Sequence, residues 1–393
     1  MNVDFHPVLT VLTGANGTGK TTILKLISKH FGWNLPFIAS KRKKKSSKGL
    51  IFSHGRRRKV ENVGATEVGT VTYSDGATAK VMLQNSNAVQ SHLSMSITKK
   101  VNGIHIPSHR PIPTYRAINS IPSGVLSKTV AYKKYNDIII QRNQGNYSNP
   151  SPPSYLIKEA IVSMLVFGYG NEHVESDIEA REAIEGFQDV LRSVLPKSIG
   201  FKRFRVIMPE LIMETDTGDF PIDAVSGGVS SIIDMAYQIY MKADTSDRFV
   251  VTLDEPENHL HPSLQRELLP NLVSTFRNAQ FIITTHSPLV VGSVPESSTY
   301  VLDYDDNKRV CSEFLDTNDK SGTANEVLKK VLGLGSTMPI WAEDKINSLI
   351  DKYSVVDLND YNLRMLRSDL ENSGMDNLVT SVISQVISRK NND

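Results

Sequence analysis

One stretch, Gly14-Ala15-Asn16-Gly17-Thr18-Gly19-Lys20-Thr21, constrains the fold of this 393-residue chain more than any other. It fits the pattern G-x-x-x-x-G-K-[ST], in which the main-chain N–H groups of a glycine loop close on phosphate oxygens. Residues 8–13 before it form an apolar and β-branched run that reads as a buried strand. Residues 22–31 after it read as a helix with Ile23, Leu24 and Ile27 on one face, closed by Gly32 and Pro36. Strand, loop and helix in that order bring a helix N-terminus, with its partial positive charge, onto an anion. Lys20 is placed to reach the terminal phosphates of a nucleotide and the Thr21 hydroxyl to ligate Mg²⁺. Asn16, Gly17, Thr18, Gly19 and Thr22 complete the expected cradle.

The length suits about two domains, or one large domain with insertions. The single cysteine, Cys311, excludes an internal disulfide framework and a cysteine-based zinc cluster, and it suits a reducing cytosol. No stretch approaches the ~20 apolar residues that span a bilayer, and no basic leader with an apolar core opens the chain. A cytoplasmic location with no membrane contact is the expectation. The net charge of +2 hides an asymmetry. Lys41, Arg42, Lys43, Lys44, Lys45, Lys48, Arg56, Arg57, Arg58 and Lys59 fall in one run without Asp or Glu, so the remainder is net acidic. Residues 41–59 can engage DNA or RNA phosphates, or stand as a solvated loop.

Further along, residues 68–73 and 77–83 flank Asp75-Gly76, a hairpin signal. A second hairpin is expected from residues 94–101 and 104–106 around Asn102-Gly103. Pro107, Pro111, Pro113 and Pro122 predict an extended connection, and residues 143–153 a polar linker. Helices are expected over 155–167 and 177–195, then strands over 203–208 and 210–215. Ser226-Gly227-Gly228 precedes a helix over 230–242. A strand over 249–253 ends in Asp254-Glu255, and one over 281–285 ends at His286, with a helix over 263–276 between them. A hairpin pairs 300–303 with 310–314, and four helices follow over 324–332, 340–353, 360–371 and 376–389. Such alternation predicts an α/β fold with a largely parallel sheet.

Asp254 is the expected second Mg²⁺ ligand, and Glu255 the group that orients and deprotonates an attacking water. His286 is placed to hydrogen-bond the γ-phosphate. His259 and His261 form an H-x-H pair with no third ligand nearby, which argues against zinc.

Together these motifs resemble the ABC-type ATPase superfamily, in the branch of SMC, RecF-like and OLD-like ATPases. Gly17-Thr18-Gly19-Lys20-Thr21 resembles its P-loop, and Ser226-Gly227-Gly228 stands at its signature motif. Residues 253–262, Leu-Asp-Glu-Pro-Glu-Asn-His-Leu-His-Pro, resemble its Walker B and D-loop, and Thr285-His286-Ser287-Pro288 its switch histidine. The resemblance implies a P-loop NTPase fold of ABC-ATPase type. A mixed sheet is expected, with an antiparallel β subdomain, a helical lobe and a helical C-terminal extension. The ATPase core would be 1–34 and 205–316, the inserted arm and β subdomain 35–150, the lobe 151–204 and the extension 317–393. It further implies ATP and Mg²⁺, and a homodimer closing on two ATPs, or a higher oligomer, with Ser226, Gly227 and Gly228 reaching the other protomer's nucleotide. Catalysis would rest on Lys20, Glu255 and His286. Arg110 stands where the family has its Q-loop.

No long heptad coiled coil separates the phosphate loop from Ser226, unlike an SMC-like DNA-repair ATPase. Asp303-Tyr304-Asp305 is a formal D-x-D, but helices follow it, and no Toprim nuclease is expected. What is left resembles the ATPases of bacterial anti-phage defence systems, Septu-type and retron-associated. These act with a separately encoded nuclease or toxin, and residues 324–389 are the expected docking surface. The alternatives are a nucleotide-switched scaffold that cages a partner with little turnover, and a SMC/RecF-like DNA-repair ATPase.

Overall fold

The computed structural model describes residues 1–35, 37–38, 65–84, 90–91, 93–110, 114–146, 151–243, 247–316, 320, 322–331, 333 and 336–390. The basic run at 41–59 lies outside the described residues.

In chain order, β1 (Leu9–Gly14) is buried throughout, as an unbroken apolar and threonine run requires of a strand covered on both faces. α1 (Lys20–Ser28) follows, then a 3-10 turn over Lys29–Phe31 that Gly32 ends in left-handed backbone. The insertion carries β2 (Phe37–Ile38), β3 (Ala65–Thr72), β4 (Thr78–Gln84), β5 (Gln90–Ser91), β6 (Leu93–Met95) and β7 (Gly103–Ile106). Next come α2 (Lys128–Asn143), α3 (Pro153–Tyr169) and α4 (Ile178–Val194), then β8 (Phe201–Ile207), β9 (Glu210–Thr215) and β10 (Phe220–Pro221). α5 (Gly227–Lys242), β11 (Phe249–Asp254), α6 (Pro262–Thr275), β12 (Ala279–Thr284), α7 (Pro288–Val291), β13 (Ser298–Tyr304) and β14 (Val310–Leu315) complete the series.

The main sheet has the order β14-β13-β1-β12-β11-β7. β13, β1, β12, β11 and β7 run parallel, and β14 closes one edge antiparallel to β13, so the sheet is mixed. β3, β4 and β6 form a separate antiparallel sheet, turned at Asp75-Gly76 with Gly76 at φ 82°.

The expected second hairpin does not form. Leu93–Met95 pairs with β4, whereas Gly103–Ile106 lies parallel beside β11 with Ile104 opposite Val251. The reason is burial: all four β7 residues are inside, and a hairpin with one wet face could not cover both Ile104 and His105. α2 is likewise unanticipated by an extended connection and a polar linker. Ser127 caps it by accepting from Val130 N–H, and Ala131, Tyr135, Ile138 and Ile139 form its buried stripe at helical spacing.

The core runs from the sheet into the helical lobe, where Leu9, Ile104, Phe187 and Phe281 are all fully buried. The chain divides into two compact units, Met1–Ala324 and Asn325–Asp393. The second has its own core, with Ile346 and Leu349 from the helix Ile340–Ser354, Leu366 and Leu370 from Asp360–Glu371, and Val382 and Val386 from Val379–Lys390. Among the described residues, no helix is long and apolar enough to cross a membrane.

Candidate active site

The carboxyl ends of β1, β11 and β12 lie side by side, the place where open α/β sheets bind ligands. At the end of β1 the chain turns through Gly14, Gly17 and Gly19 at φ 124°, 85° and 92°, backbone that L side chains rarely adopt. Gly14 is also forced by proximity, because a Cβ there would lie 2.0 Å from the Leu302 carbonyl oxygen. Thr18 Oγ1 donates to the Ala15 carbonyl at 2.9 Å, and the Tyr304 hydroxyl donates to the Gly17 carbonyl at 2.8 Å. Lys20 Nζ folds over the loop and donates to the carbonyls of Gly14 and Ala15, both at 2.9 Å. Burial draws the Lys20 pKa below the ordinary lysine range, and the nearby charges of Glu255, Asp254 and Glu257 oppose that. Asn16, Gly17 and Thr22 are exposed and Gly19 half-buried, so the cradle is open outward.

Thr21 Oγ1 donates to Asp254 Oδ1 at 3.1 Å. The Thr284 hydroxyl donates to the same oxygen. Burial raises the Asp254 pKa, and these two hydroxyls hold it down. A threonine hydroxyl and a carboxylate at this separation are the hard oxygen donors that Mg²⁺ takes, so the residues fit that ion. Among the described residues there is no cluster of three His, Cys, Asp or Glu side chains suited to a metal. His261 caps α6 by accepting from Ser263 N–H.

Glu255 sits at φ 46°, unusual for a residue with a side chain. Its N–H donates to the Thr284 carbonyl at 3.0 Å. Its Oε2 accepts from Asn258 Nδ2 at 3.0 Å, and Oε1 lies 3.7 Å from His286 Nε2. Burial and the Lys20 charge lower the His286 pKa, with Glu255 pulling the other way. Glu257 is buried, and its Oε1 accepts from Thr285 Oγ1 at 2.6 Å and from the His286 N–H at 2.9 Å. Thus Lys20, Thr21, Asp254, Glu255 and His286 come together through contacts between β1, β11 and β12.

Ser226, Gly227 and Gly228 do not join them by any hydrogen bond among the described residues. Ser226 is exposed and caps α5, accepting from Val229 N–H at 3.4 Å, while Gly228 packs on the His259 carbonyl. Arg110 turns to the main chain after Asp254 rather than to the phosphate loop. Thr284 and Tyr304 are neighbours of Asp254 and of the glycine loop that motif spacing does not single out, whereas Glu257 and Asn258 fall within the motif at 253–262. Only the Thr284-Thr285 pair at a strand end offered a signal, since buried threonines there need hydrogen-bond partners.

A glycine loop between β1 and α1, acidic residues ending β11 and a histidine after β12, on a mixed sheet, define a P-loop NTPase fold. Residues 192–292 match the family described as "AAA domain, putative AbiEii toxin, Type IV TA system". The chain is similar to the retron Ec83 probable ATPase of Escherichia coli, 31% identical over 29% of this chain and 23% of that protein's length. It is also similar to the Septu protein PtuA of Bacillus thuringiensis, 23% identical over 87% of this chain and 83% of that one. The first match therefore spans less than a quarter of the retron protein. Among solved structures, an SMC head bound to the C-terminal winged-helix domain of ScpA aligns with a TM-score of 0.41 at 14% identity, covering 80% of this chain and 93% of that one.

Proposed function

We propose that this chain binds and hydrolyses ATP with Mg²⁺, and that two copies close on two ATPs to control a separate effector such as a nuclease in anti-phage defence. The convergence of Thr21, Asp254, Glu255 and His286 across three strand ends carries the reading. Loop N–H groups and Lys20 would take the β- and γ-phosphates. Thr21 and Asp254 would hold Mg²⁺, which supplies charge neutralisation to the phosphates. Glu255 orients a water, and its carboxylate accepts the proton as that water's oxygen bonds the γ-phosphorus and the bond to the β-phosphate oxygen breaks. His286, beside Glu255, donates from a ring N–H to a γ-phosphate oxygen. Exposure of Ser226, which caps only its own helix, supports its use on a second copy's nucleotide. The retron and Septu relatives support the defence setting.

Turnover and ATP affinity of the wild type, Glu255→Gln and Lys20→Ala test this. Glu255→Gln should keep ATP affinity and lose about 100-fold or more in kcat. Lys20→Ala should lose ATP binding. Equal, near-zero turnover in wild type and Glu255→Gln with intact ATP binding would instead make the protein a nucleotide-switched scaffold.

A further inference from the structure

We propose that Arg110 is a positioning residue that holds the main chain of residues 255–258 for hydrolysis and ties it to the helix capped by Ser226. Its guanidinium is buried, at 7% exposure, beyond the end of β7. One nitrogen, Nη2, donates to the carbonyls of Glu255 and Pro256 at 3.1 Å each and to that of Asn258 at 3.5 Å. Nε donates to Ser231 Oγ on α5 at 2.6 Å, and Nη1 to the Pro107 carbonyl at 3.4 Å. The segment it grips is strained, with Glu255 at φ 46° and His259 at φ 71°. Such backbone persists only where its surroundings over-determine it, and these carbonyl contacts do so. Burial works against the Arg110 charge, and the charges of Asp234, Glu257 and Asp254 sustain it. A planar fork of five donors can serve diverging carbonyls and a hydroxyl at once, which a lysine cannot.

The consequence is mechanical. Glu255 aims its carboxylate from the backbone that Arg110 holds. Ser231 lies within α5, five residues beyond the cap Ser226. Movement of α5 when Ser226 meets a second copy's nucleotide therefore reaches Glu255 through one guanidinium. This inference rests on the proposed ATPase reading.

The test compares full-length wild type, Arg110→Ala, Arg110→Lys, Ser231→Ala and Lys20→Ala for Mg-ATP turnover and for binding of a fluorescent ATP analogue. Arg110→Ala and Arg110→Lys should each lose about 100-fold in kcat, the scale of an ångström misplacement, with analogue affinity within about 3-fold of wild type. Added guanidinium ion should restore part of the Arg110→Ala rate, where sodium at equal ionic strength does not. Ser231→Ala, which removes one bond and keeps the fold, should lose several-fold in kcat alone. Wild-type kcat in Ser231→Ala or in folded Arg110→Ala overturns the proposal, as does a loss that guanidinium leaves unrestored or one matched by lost ATP affinity. Should Arg110→Ala not fold, Ser231→Ala decides. An inactive wild type whose analogue affinity survives Lys20→Ala overturns the ATPase reading itself. An active wild type and dead Lys20→Ala beside unimpaired Arg110 variants overturns this inference alone.

Discussion

The Thr21 hydroxyl donates to Asp254 Oδ1 across 3.1 Å, joining the start of α1 to the end of β11 over 233 residues of chain. The Thr284 hydroxyl meets the same oxygen from β12, so one carboxylate is shared by three elements that come together only in the fold. Thr21→Ala removes a metal-type donor and leaves Asp254 to Thr284. Its turnover should need about 10-fold or more Mg²⁺ to saturate, the scale of a weakened metal site, and Thr21→Ser should restore the wild-type requirement. Phosphate release across a Mg²⁺ titration reads this; identical curves for Thr21→Ala and wild type would remove Thr21 from the metal site.

His105 should make the fold acid-sensitive. It is almost fully buried in β7, edge-on to Trp33 with ring centroids 5.2 Å apart. Thr252 Oγ1 donates its single proton to the Ile104 carbonyl at 3.2 Å, so His105 Nδ1 carries hydrogen and donates to that hydroxyl at 2.9 Å. Burial, with the Lys25 charge adding to it, pushes the His105 pKa from 6.5 down to about 3. The native state then binds fewer protons than the unfolded chain below pH 6.5. Stability from this group is complete above that pH and is lost as pH falls towards about 3. In urea unfolding between pH 6.5 and 5, His105→Asn should show a shallower loss, by up to about 1.4 kcal/mol per pH unit. Parallel wild-type and variant curves would place the acid sensitivity elsewhere.

Gly14 and Gly17 both take left-handed backbone, but only Gly14 is crowded. Its Cβ would sit 2.0 Å from the Leu302 carbonyl oxygen, against 3.5 Å to the Tyr304 hydroxyl at Gly17. Gly14→Ala should therefore cost about 3 kcal/mol or more and Gly17→Ala about 1 to 2. Equilibrium urea unfolding measures the order; a reversed order would contradict the approach of β13 to the loop.

The ten cations of residues 41–59 give a prediction from charge alone. Replacing that run with Gly and Ser should weaken binding to a DNA or RNA oligonucleotide and flatten its salt dependence, because fewer counterions are released. Fluorescence anisotropy from low to moderate salt reads both. An unchanged slope would make the run a solvated loop.

Much of the site was legible because its motifs are local. Gly14–Thr21, Asp254-Glu255 and His286 each follow an apolar run that ends where a strand must end. The expected hairpin of residues 300–303 and 310–314 also forms, as β13 and β14. β7 was misplaced because four residues carry too little periodicity to separate a hairpin arm from a strand of the main sheet. α2 had a readable stripe in Ala131, Tyr135, Ile138 and Ile139, obscured by Lys133-Lys134 and by the prolines upstream.

By itself, then, the sequence determined that a glycine loop joins a strand to a helix, that acidic groups end one strand and a histidine follows another. Those features depend on neighbouring residues and on the helix N-terminus they create. Only the tertiary structure decided that β7 flanks β11, that Tyr304 reaches the Gly17 carbonyl and that Arg110 grips residues 255–258. Each joins residues far apart in the chain. Such partners are chosen by sheet register and by the need to satisfy buried donors and acceptors, which no local spacing records.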